Sequence, residues 1–219
     1  MITVIDYGMG NLGSVFNMFK RIGVASKITS DLEEIKSAKK LLLPGVGSFD
    51  KAMERINTSG IKEVLDQKAL VEETPILGIC LGMQLLTNSS EEGTENGLGY
   101  INASAKKFVF NDNKMKVPHM GWNIVEKVTP SLLTQDFEEE SRFYFVHSYY
   151  VEVENQENSI LKTTYGLEFD SAIQYKNVYG AQFHPEKSHK FGMKLLENFS
   201  KVIRYATNQS YSVFTSKGR

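Results

Sequence analysis

The stretch "TPILGICLGMQLL", residues 74–86, changes from an apolar run to a helical pattern at Cys80. A short, continuous apolar run is typical of a strand that is buried on both faces of a parallel sheet. Gly78 and Gly82 lie two residues to either side of the cysteine, where a sharp turn leaves little room for side chains. This order of strand, turn and helix is that of a nucleophile elbow, with cysteine in the position of serine. The stretch therefore predicts an α/β fold and a candidate nucleophile; a buried structural cysteine is the alternative.

Strand and helix patterns alternate through the first half of the chain. The strand "ITVI", residues 2–5, precedes a helix face, and a short strand near residues 25–29 leads to a helix for which Ser30 and Glu33 resemble a capping box. "KKLLLPGVGSF", residues 39–49, reads as a buried strand that enters a glycine-rich loop. This alternation predicts a parallel sheet with helices on both faces.

The second half of the chain has a different pattern. From about residue 98 to residue 175 it reads as strands and turns, as in "RFYFVHSYYVEV", residues 142–153, and such stretches favour mixed or antiparallel pairing. A closing helix is predicted from Leu195, Leu196, Phe199 and Ile203. We expect one domain over residues 1–206 and a polar tail over residues 207–219.

The composition excludes several classes of protein. The chain has 219 residues, of which 41% are hydrophobic and 23% charged, and its net charge of -1 comes without any sustained basic run, which argues against nucleic acid as a partner. We find no signal peptide and no run long enough to span a membrane, and we expect a soluble cytoplasmic protein. Because Cys80 is the only cysteine, no intrachain disulfide and no multi-cysteine metal site is expected. We expect neither a metal nor a cofactor.

A glycine fingerprint near the start of the chain suggests a different function. In "DYGMGNLGSV", residues 6–15, Gly8, Gly10 and Gly13 form the G-x-G-x-x-G pattern that binds a dinucleotide pyrophosphate. The acidic residue that should hold the ribose is missing from the end of the second strand, since Asp31 falls in the first turn of the next predicted helix. A tight turn without a ligand is therefore the preferred interpretation, and saturable NADH binding would contradict it.

A cysteine nucleophile needs a base and an acceptor that orients the base. In "AQFHPEKS", residues 181–188, His184 ends an apolar strand and Glu186 follows two residues later, so in an extended segment both side chains point the same way. Two solvated polar residues at a strand end are the alternative. His147 fits a buried structural role equally well, and His119 and His189 have no evident partner acid.

Acyl chemistry also needs hydrogen-bond donors for the developing oxyanion. The backbone amide of Leu81, directly after the cysteine, is one candidate. A second is the loop "PGVG", residues 44–47, because the carboxyl ends of parallel strands meet at one edge of the sheet.

Five segments, in this order and spacing, resemble the class I glutamine amidotransferases: "LLLPGVGSF", "GICLGMQLL", "VPHMGWN", "YFVHSYYV" and "FHPEKS". Within that family, "PHMGWN" and "FVHSY" are similar to the glutaminase subunits of imidazole glycerol phosphate synthase. The resemblance extends from residue 1 to about residue 203. It implies a three-layer fold with a mixed, mostly parallel central sheet, helices on both faces and a smaller antiparallel sheet.

The resemblance also implies roles for individual residues. Cys80, His184 and Glu186 match the catalytic triad, which hydrolyses glutamine through a glutamyl thioester, and Gly45, Val46 and Leu81 match the oxyanion site. The family's glutamine contacts match Gly47, Gln84, Glu92, His147, Ser148 and Tyr149. The partner is a (β/α)8-barrel cyclase that receives ammonia and makes imidazole glycerol phosphate and an aminoimidazole carboxamide nucleotide. Positions near that interface match Asn11, Trp122, Asn123, Tyr144 and Lys187, although core packing is the alternative for Trp122.

One departure from the family pattern leaves the partner open. Gly13 stands where the histidine-pathway subunits usually carry arginine, and it completes the dinucleotide fingerprint. "NLGS" and "KSHKFGMKLLENF" also resemble a sister group that supplies ammonia to an amidotransferase of surface-polysaccharide sugar biosynthesis. A free-standing cysteine hydrolase is a further alternative, and it predicts substantial activity without a partner.

Overall fold

The computed structural model describes residues 1–110 and 115–203. Its strands in chain order are β1 (Ile2–Ile5), β2 (Ser26–Thr29), β3 (Leu41–Gly45), β4 (Ile76–Cys80), β5 (Ser89–Ser90), β6 (Ala103–Lys107), β7 (His119–Ile124), β8 (Glu126–Lys127), β9 (Arg142–His147), β10 (Tyr149–Val153), β11 (Ser159–Tyr165), β12 (Leu167–Tyr175) and β13 (Val178–Ala181). Its α-helices are α1 (Leu12–Arg21), α2 (Leu32–Lys36), α3 (Phe49–Thr58), α4 (Ile61–Asp66), α5 (Leu81–Leu85) and α6 (His189–Lys201).

The described strands form a central mixed sheet of 11 strands. Its main path runs β2-β1-β3-β4-β13-β12-β10-β6-β5, and β8 and β11 join through β12. Neighbours from β2 to β13 along this path are parallel, whereas β13, β12, β10 and β6 pair antiparallel. The predicted parallel first half and the mixed second half are both confirmed.

Apolar residues are buried on both faces of this sheet. Along β1, Ile5 packs into a core beneath α2 to α5, while Val4 packs into a core beneath α1 and α6. Because successive side chains of a strand point to opposite faces, a continuous apolar run is what a sheet covered on both sides requires. Full burial of a side chain such as Phe49 or Phe199 stabilises the fold by roughly 1.5–3 kcal/mol. The predicted three-layer arrangement is thus confirmed.

The smaller antiparallel sheet consists of β7 and β9. Its inner face buries Phe143 and Phe145 in the core beneath α1 and α6. Its outer face leaves Met120, Trp122 and Ile124 exposed. In this pairing His119 lies directly opposite His147.

Two local expectations are wrong in detail. The N-cap of α2 is Asp31, whose Oδ1 accepts a hydrogen bond from Glu34 N at 2.9 Å, so Ser30 and Glu33 form no capping box. The closing helix ends at Lys201, which leaves Ile203 outside it and exposed. The predicted tail, residues 207–219, lies outside the described residues. None of the helices that the structure describes has the length and apolar character needed to cross a membrane.

Candidate active site

Cys80 lies at the sharp junction between β4 and α5, as the elbow predicts. Its backbone has φ 54°, in the left-handed region that non-glycine residues seldom adopt. The flanking glycines make this junction possible, since a Cβ on Gly82 would overlap the carbonyl oxygen of Leu43 and one on Gly78 would lie 2.5 Å from that of Gly82. A sharp, strained strand-to-helix turn of this kind holds its side chain clear of the strand.

The surroundings of the sulfur are only partly those expected from the sequence. Helix α5 has only five residues, so its dipole contributes less to the thiolate than a long helix would. The side chain of Gln182, which no sequence motif indicated, places Nε2 3.8 Å from Cys80 Sγ. The carbonyl oxygen of Val146 lies 4.0 Å from the same sulfur.

His184 and Glu186 form a close, buried pair. His184 Nδ1 lies 2.7 Å from Glu186 Oε1, and each side chain is 2% exposed. The predicted contact is present, but its predicted geometry is wrong. Strand β13 ends at Ala181, and Pro185–Lys187 form a 3-10 turn that brings the carboxylate back to the ring.

The charge state of His184 follows from its neighbours. Burial alone lowers its pKa, but the interactions with Cys80 and Glu186 outweigh burial and raise the pKa to about 9. Cys80 acts on the ring through both a side-chain hydrogen bond and its charge, and because Glu186 holds Nδ1, Nε2 is the nitrogen left for the sulfur. The imidazole therefore holds a proton at neutral pH beside the sulfur, as a Cys–His nucleophile requires.

A cavity of about 350 Å³ opens beside the cysteine. That volume lies in the range of small-molecule pockets. Every residue predicted to contact glutamine lines it, together with Val46, Leu81, Cys80 and His184; these contacts are Gly47, Gln84, Glu92, His147, Ser148 and Tyr149. Pro118 and Val146, which the sequence analysis did not select, line it too, and so does Lys187, predicted at the partner interface.

The predicted oxyanion strand lies next to the elbow. Gly45 is the register partner of Cys80 in the parallel pairing of β3 and β4. Val46 is exposed and lines the cavity, and Gly47 has φ 108°. The buried hydroxyl of Tyr7 also lies here, 2.6 Å from where a Cβ on Gly45 would be. Any larger residue than glycine at position 45 would displace this tyrosine.

Two polar side chains at the cavity wall are held by the backbone. Gln84 Nε2 donates to the carbonyl of Tyr149 at 3.3 Å. Glu92 Oε2 accepts from Phe49 N at 3.0 Å, and burial raises the pKa of this carboxyl despite that hydrogen bond. The Glu92 carboxylate suits the amino group of a ligand, whereas both N–H groups of Gln84 are taken, by the carbonyl of Tyr149 and by Gln182 Oε1 at 3.1 Å.

The residues predicted at the partner interface separate into two groups. Trp122 is 45% exposed, so core packing does not explain it, and its ring stacks on His189 at 5.6 Å. Tyr144 meets Trp122 edge to face, and Lys187 Nζ lies 5.7 Å above the Tyr144 ring. These three predicted residues thus form one surface, which we call the aromatic surface: Trp122, Tyr144 and Lys187.

The other two predicted interface residues are placed differently. Asn11 is exposed at the start of α1, where its side chain makes no cap hydrogen bond. Asn123 turns inward, because its Nδ2 donates to the carbonyl of Thr164 at 2.9 Å and faces His119 Nε2 at 3.3 Å.

The glycine turn of the dinucleotide fingerprint has partners within the chain. Gly8 N donates to Asp6 Oδ1 at 2.9 Å, and Arg55 donates to the carbonyl of Gly8 at 2.7 Å. Asp31, the nearest acid to the expected ribose position, caps α2.

The family model for class I glutamine amidotransferases matches residues 3–203. The chain belongs to that family. It covers almost the whole length of its relatives. It is 57% identical to the imidazole glycerol phosphate synthase subunit HisH 2 of Methanococcus maripaludis, over 92% of this chain and 99% of that one. It is 47% identical to the subunit HisH 2 of Pseudomonas aeruginosa, over 93% and 100% of the two chains.

Solved structures share the fold. The chain superposes on PurLQS from Thermotoga maritima with a TM-score of 0.70 and 16% identity, over 90% of this chain and 96% of that one. A glutamine amidotransferase from the same organism matches with a TM-score of 0.59 and 16% identity, over 90% and 81% of the two chains.

Proposed function

We propose that this chain is the glutaminase subunit of an imidazole glycerol phosphate synthase. Relatives of that name at 57% and 47% identity support the assignment. The observation that carries the chemistry is the buried His184–Glu186 pair beside Cys80, at the wall of a cavity of about 350 Å³. The chain then works in the cytoplasm, where small-molecule biosynthesis takes place.

In this proposal Cys80 supplies the nucleophile of an amide hydrolysis and His184 makes the proton transfers. The Cys80 thiolate attacks the side-chain carbonyl carbon of glutamine, and the protonated His184 gives its proton to the leaving nitrogen as ammonia departs. A glutamyl thioester remains on the sulfur. Water, deprotonated by His184, then attacks the thioester and releases glutamate. Glu186 holds the imidazole and stabilises its charged form.

The developing oxyanion needs donors at the sulfur's side of the cavity. The amide of Leu81 directly follows the nucleophile, and the segment Gly45–Gly47 lies beside Cys80 through the β3–β4 register. We assign the second donor to this segment.

The partner in this proposal is a (β/α)8-barrel cyclase subunit that takes up the ammonia. It would bind the aromatic surface of Trp122, Tyr144 and Lys187, because an exposed tryptophan, tyrosine and cation next to a cavity are typical of a binding hot spot. Lys187 belongs both to this surface and to the cavity wall, so the two are adjacent. Ammonia would pass from the cavity through the barrel, which makes imidazole glycerol phosphate and the aminoimidazole carboxamide nucleotide.

A sugar amidotransferase of polysaccharide biosynthesis is the second candidate for the receiving reaction. Gly13 departs from the histidine-pathway pattern, and the segments "NLGS" and "KSHKFGMKLLENF" resemble the sister group of the sugar pathway. The glutaminase chemistry is the same in either case.

The test is glutamate release from glutamine by this chain, alone and with the cyclase barrel from the same source, in the presence of a cyclase substrate analogue. A large stimulation that Cys80→Ala abolishes supports the histidine-pathway synthase. A barrel that is active with free ammonium but stimulates nothing supports the sugar amidotransferase. Substantial activity of the chain alone supports a free-standing hydrolase.

A further inference from the structure

Two buried histidines, of which His147 lines the cavity, have no part in the triad chemistry. His119 on β7 and His147 on β9 lie opposite each other, with His119 Nδ1 2.9 Å from His147 Nε2. The ring of His119 is stacked between Tyr165 at 4.0 Å and Phe145 at 4.7 Å, measured between ring centres. These stacking contacts restrain the ring of His119.

The partners of these rings determine where their hydrogens lie. His147 Nδ1 is 2.7 Å from the carbonyl oxygen of Tyr149, which can only accept, so Nδ1 carries the hydrogen. Nε2 of a neutral His147 is then an acceptor, and His119 must donate to it through Nδ1. His119 Nε2 in turn is an acceptor that faces the amide nitrogen of Asn123 at 3.3 Å.

The ends of this chain of hydrogen bonds fix its direction. The amide of Asn123 cannot be reversed, because Nδ2 also donates to the carbonyl of Thr164 at 2.9 Å and Oδ1 accepts from Ile124 N at 2.9 Å. Burial also lowers the pKa of His119 to about 4 and that of His147 to about 3, which keeps both rings neutral. One arrangement of hydrogens therefore satisfies every contact.

The carbonyl of Tyr149 connects this pair to the nucleophile. It accepts a second hydrogen bond, from Gln84 Nε2 at 3.3 Å. The same Nε2 donates to Gln182 Oε1 at 3.1 Å. Because the oxygen of Gln182 is already an acceptor, its amide nitrogen is the group that faces Cys80 Sγ, at 3.8 Å.

We propose that His119 and His147 are positioning residues for the nucleophile. They fix the carbonyl of Tyr149, and that carbonyl, through the hydrogen bonds between the two glutamine side chains, keeps the N–H of Gln182 directed at Cys80. A donor stabilises a thiolate more than a thiol, because hydrogen bonds to a charged acceptor are the stronger ones. The network thereby raises the fraction of reactive thiolate. This inference rests on the proposed role of Cys80 as nucleophile.

The hydrogen positions can be observed directly in the wild-type chain. Long-range ¹H–¹⁵N correlation spectra at pH 7 should show both His119 and His147 neutral, with hydrogen on Nδ1 in each ring. A spectrum with hydrogen on Nε2 of either ring, or with either ring doubly protonated, would overturn the proposal. This measurement needs no substitution, so it tests the arrangement of hydrogens even where a variant fails to fold.

The effect on the sulfur is measured by alkylation. Because Cys80 is the only cysteine of the chain, the rate of iodoacetamide uptake reports on this one thiol. Gln182→Leu removes the donor to sulfur, and we expect the rate at pH 7 to fall about tenfold and the pH profile to shift upward. An unchanged rate and profile in that variant would contradict the proposal.

Three variants separate positioning from general loss of stability. His119→Leu removes the hydrogen bond to His147 and should slow alkylation, whereas His119→Asn keeps a donor near the Nδ1 position and should restore most of the rate. Asn198→Leu is the matched control, since it removes a buried amide that donates to the carbonyls of Leu133 and Gln135 and does not line the cavity. It should lower stability and leave the alkylation rate as in the wild type. A His119→Asn rate equal to that of His119→Leu would contradict the proposal.

Alkylation uses neither glutamine nor a partner subunit. Absence of glutamate release in the wild type with either partner would refute the proposed function. The pH profile of alkylation would still show whether this network acts on the sulfur.

Discussion

His184 Nδ1 lies 2.7 Å from Glu186 Oε1, and both side chains are buried. Only one residue separates the two in the sequence. The 3-10 turn at Pro185–Lys187 produces this contact. With Nδ1 held by the carboxylate, the other ring nitrogen is left for chemistry at Cys80. Such an orientation is what the third member of a nucleophile–base–acid set provides.

Substitution Glu186→Gln should lower the pKa of His184. The carboxylate is one of the two partners that raise this pKa to about 9, and burial of the ring, which acts in the opposite direction, remains in the variant. We expect the pKa to move from about 9 toward or below the ordinary histidine value of about 6.5. Titration of the imidazole resonances by NMR measures it; an unchanged pKa would show that Glu186 does not act on this ring.

The same pair makes stability depend on pH. The native state binds the His184 proton more tightly than the unfolded chain, so the pair contributes its full stabilisation below about pH 6.5 and loses it as the pH rises through about 9. The difference in unfolding free energy between wild type and Glu186→Gln should therefore be larger at pH 6 than at pH 9.5. Urea unfolding at the two pH values measures this difference, and equal differences would contradict the assignment.

Removal of the base or of the nucleophile should have distinct effects on activity. His184→Ala should lower glutaminase activity by about a million-fold, as loss of a triad base does in another hydrolase. Cys80→Ala should abolish thioester formation altogether and leave folding and partner binding intact. Glutamate release with the partner subunit present measures both. Substantial release by Cys80→Ala would refute the nucleophile assignment.

The features that could be predicted from the sequence are those that depend on a few consecutive residues. Apolar runs in β3 and β4 predict a parallel sheet, and Gly78 and Gly82 predict a sharp turn, because each depends on a few consecutive residues. The contact between His184 and Glu186 was predicted for a local reason that is wrong, since a turn and not an extended strand creates it. Residues that lie two positions apart can make such a contact in more than one backbone conformation.

Long-range hydrogen bonds could not be predicted in the same way. His119 and His147 are 28 residues apart, and they meet only through the antiparallel register of β7 and β9. Gln182 faces Cys80 because the parallel pairing of β13 with β4 sets its position, and no local pattern indicates that pairing. Its one signal in the sequence is a polar residue at the end of an apolar strand.

Substitution by alanine should have opposite effects on stability at Gly82 of the elbow and at Gly13 of the glycine fingerprint. A Cβ on Gly82 would overlap the carbonyl oxygen of Leu43, so Gly82→Ala should cost about 1–3 kcal/mol of stability. Gly13 lies within α1, and no described atom lies within 4 Å of the place its Cβ would take. Gly13→Ala should therefore stabilise the chain by about 0.5–1 kcal/mol. Urea unfolding measures the stability of both variants. A destabilising Gly13→Ala would show that glycine is needed here for a reason other than helix formation.

The aromatic surface should determine affinity for the partner subunit. Trp122 and Tyr175 are both aromatic residues with 45% of their surface exposed, but only Trp122 belongs to the surface beside the cavity. Trp122→Ala should weaken binding to the cyclase barrel about 30-fold, as truncation of an aromatic hot spot does, and Tyr175→Ala should leave it unchanged. Calorimetric titration with the barrel measures both affinities, and thermal unfolding of each variant controls for folding. Equal affinities of the two variants would place the interface elsewhere. A loss seen with the cyclase barrel and not with the sugar amidotransferase, or the reverse, would identify the receiving reaction, because the catalytic residues are common to both.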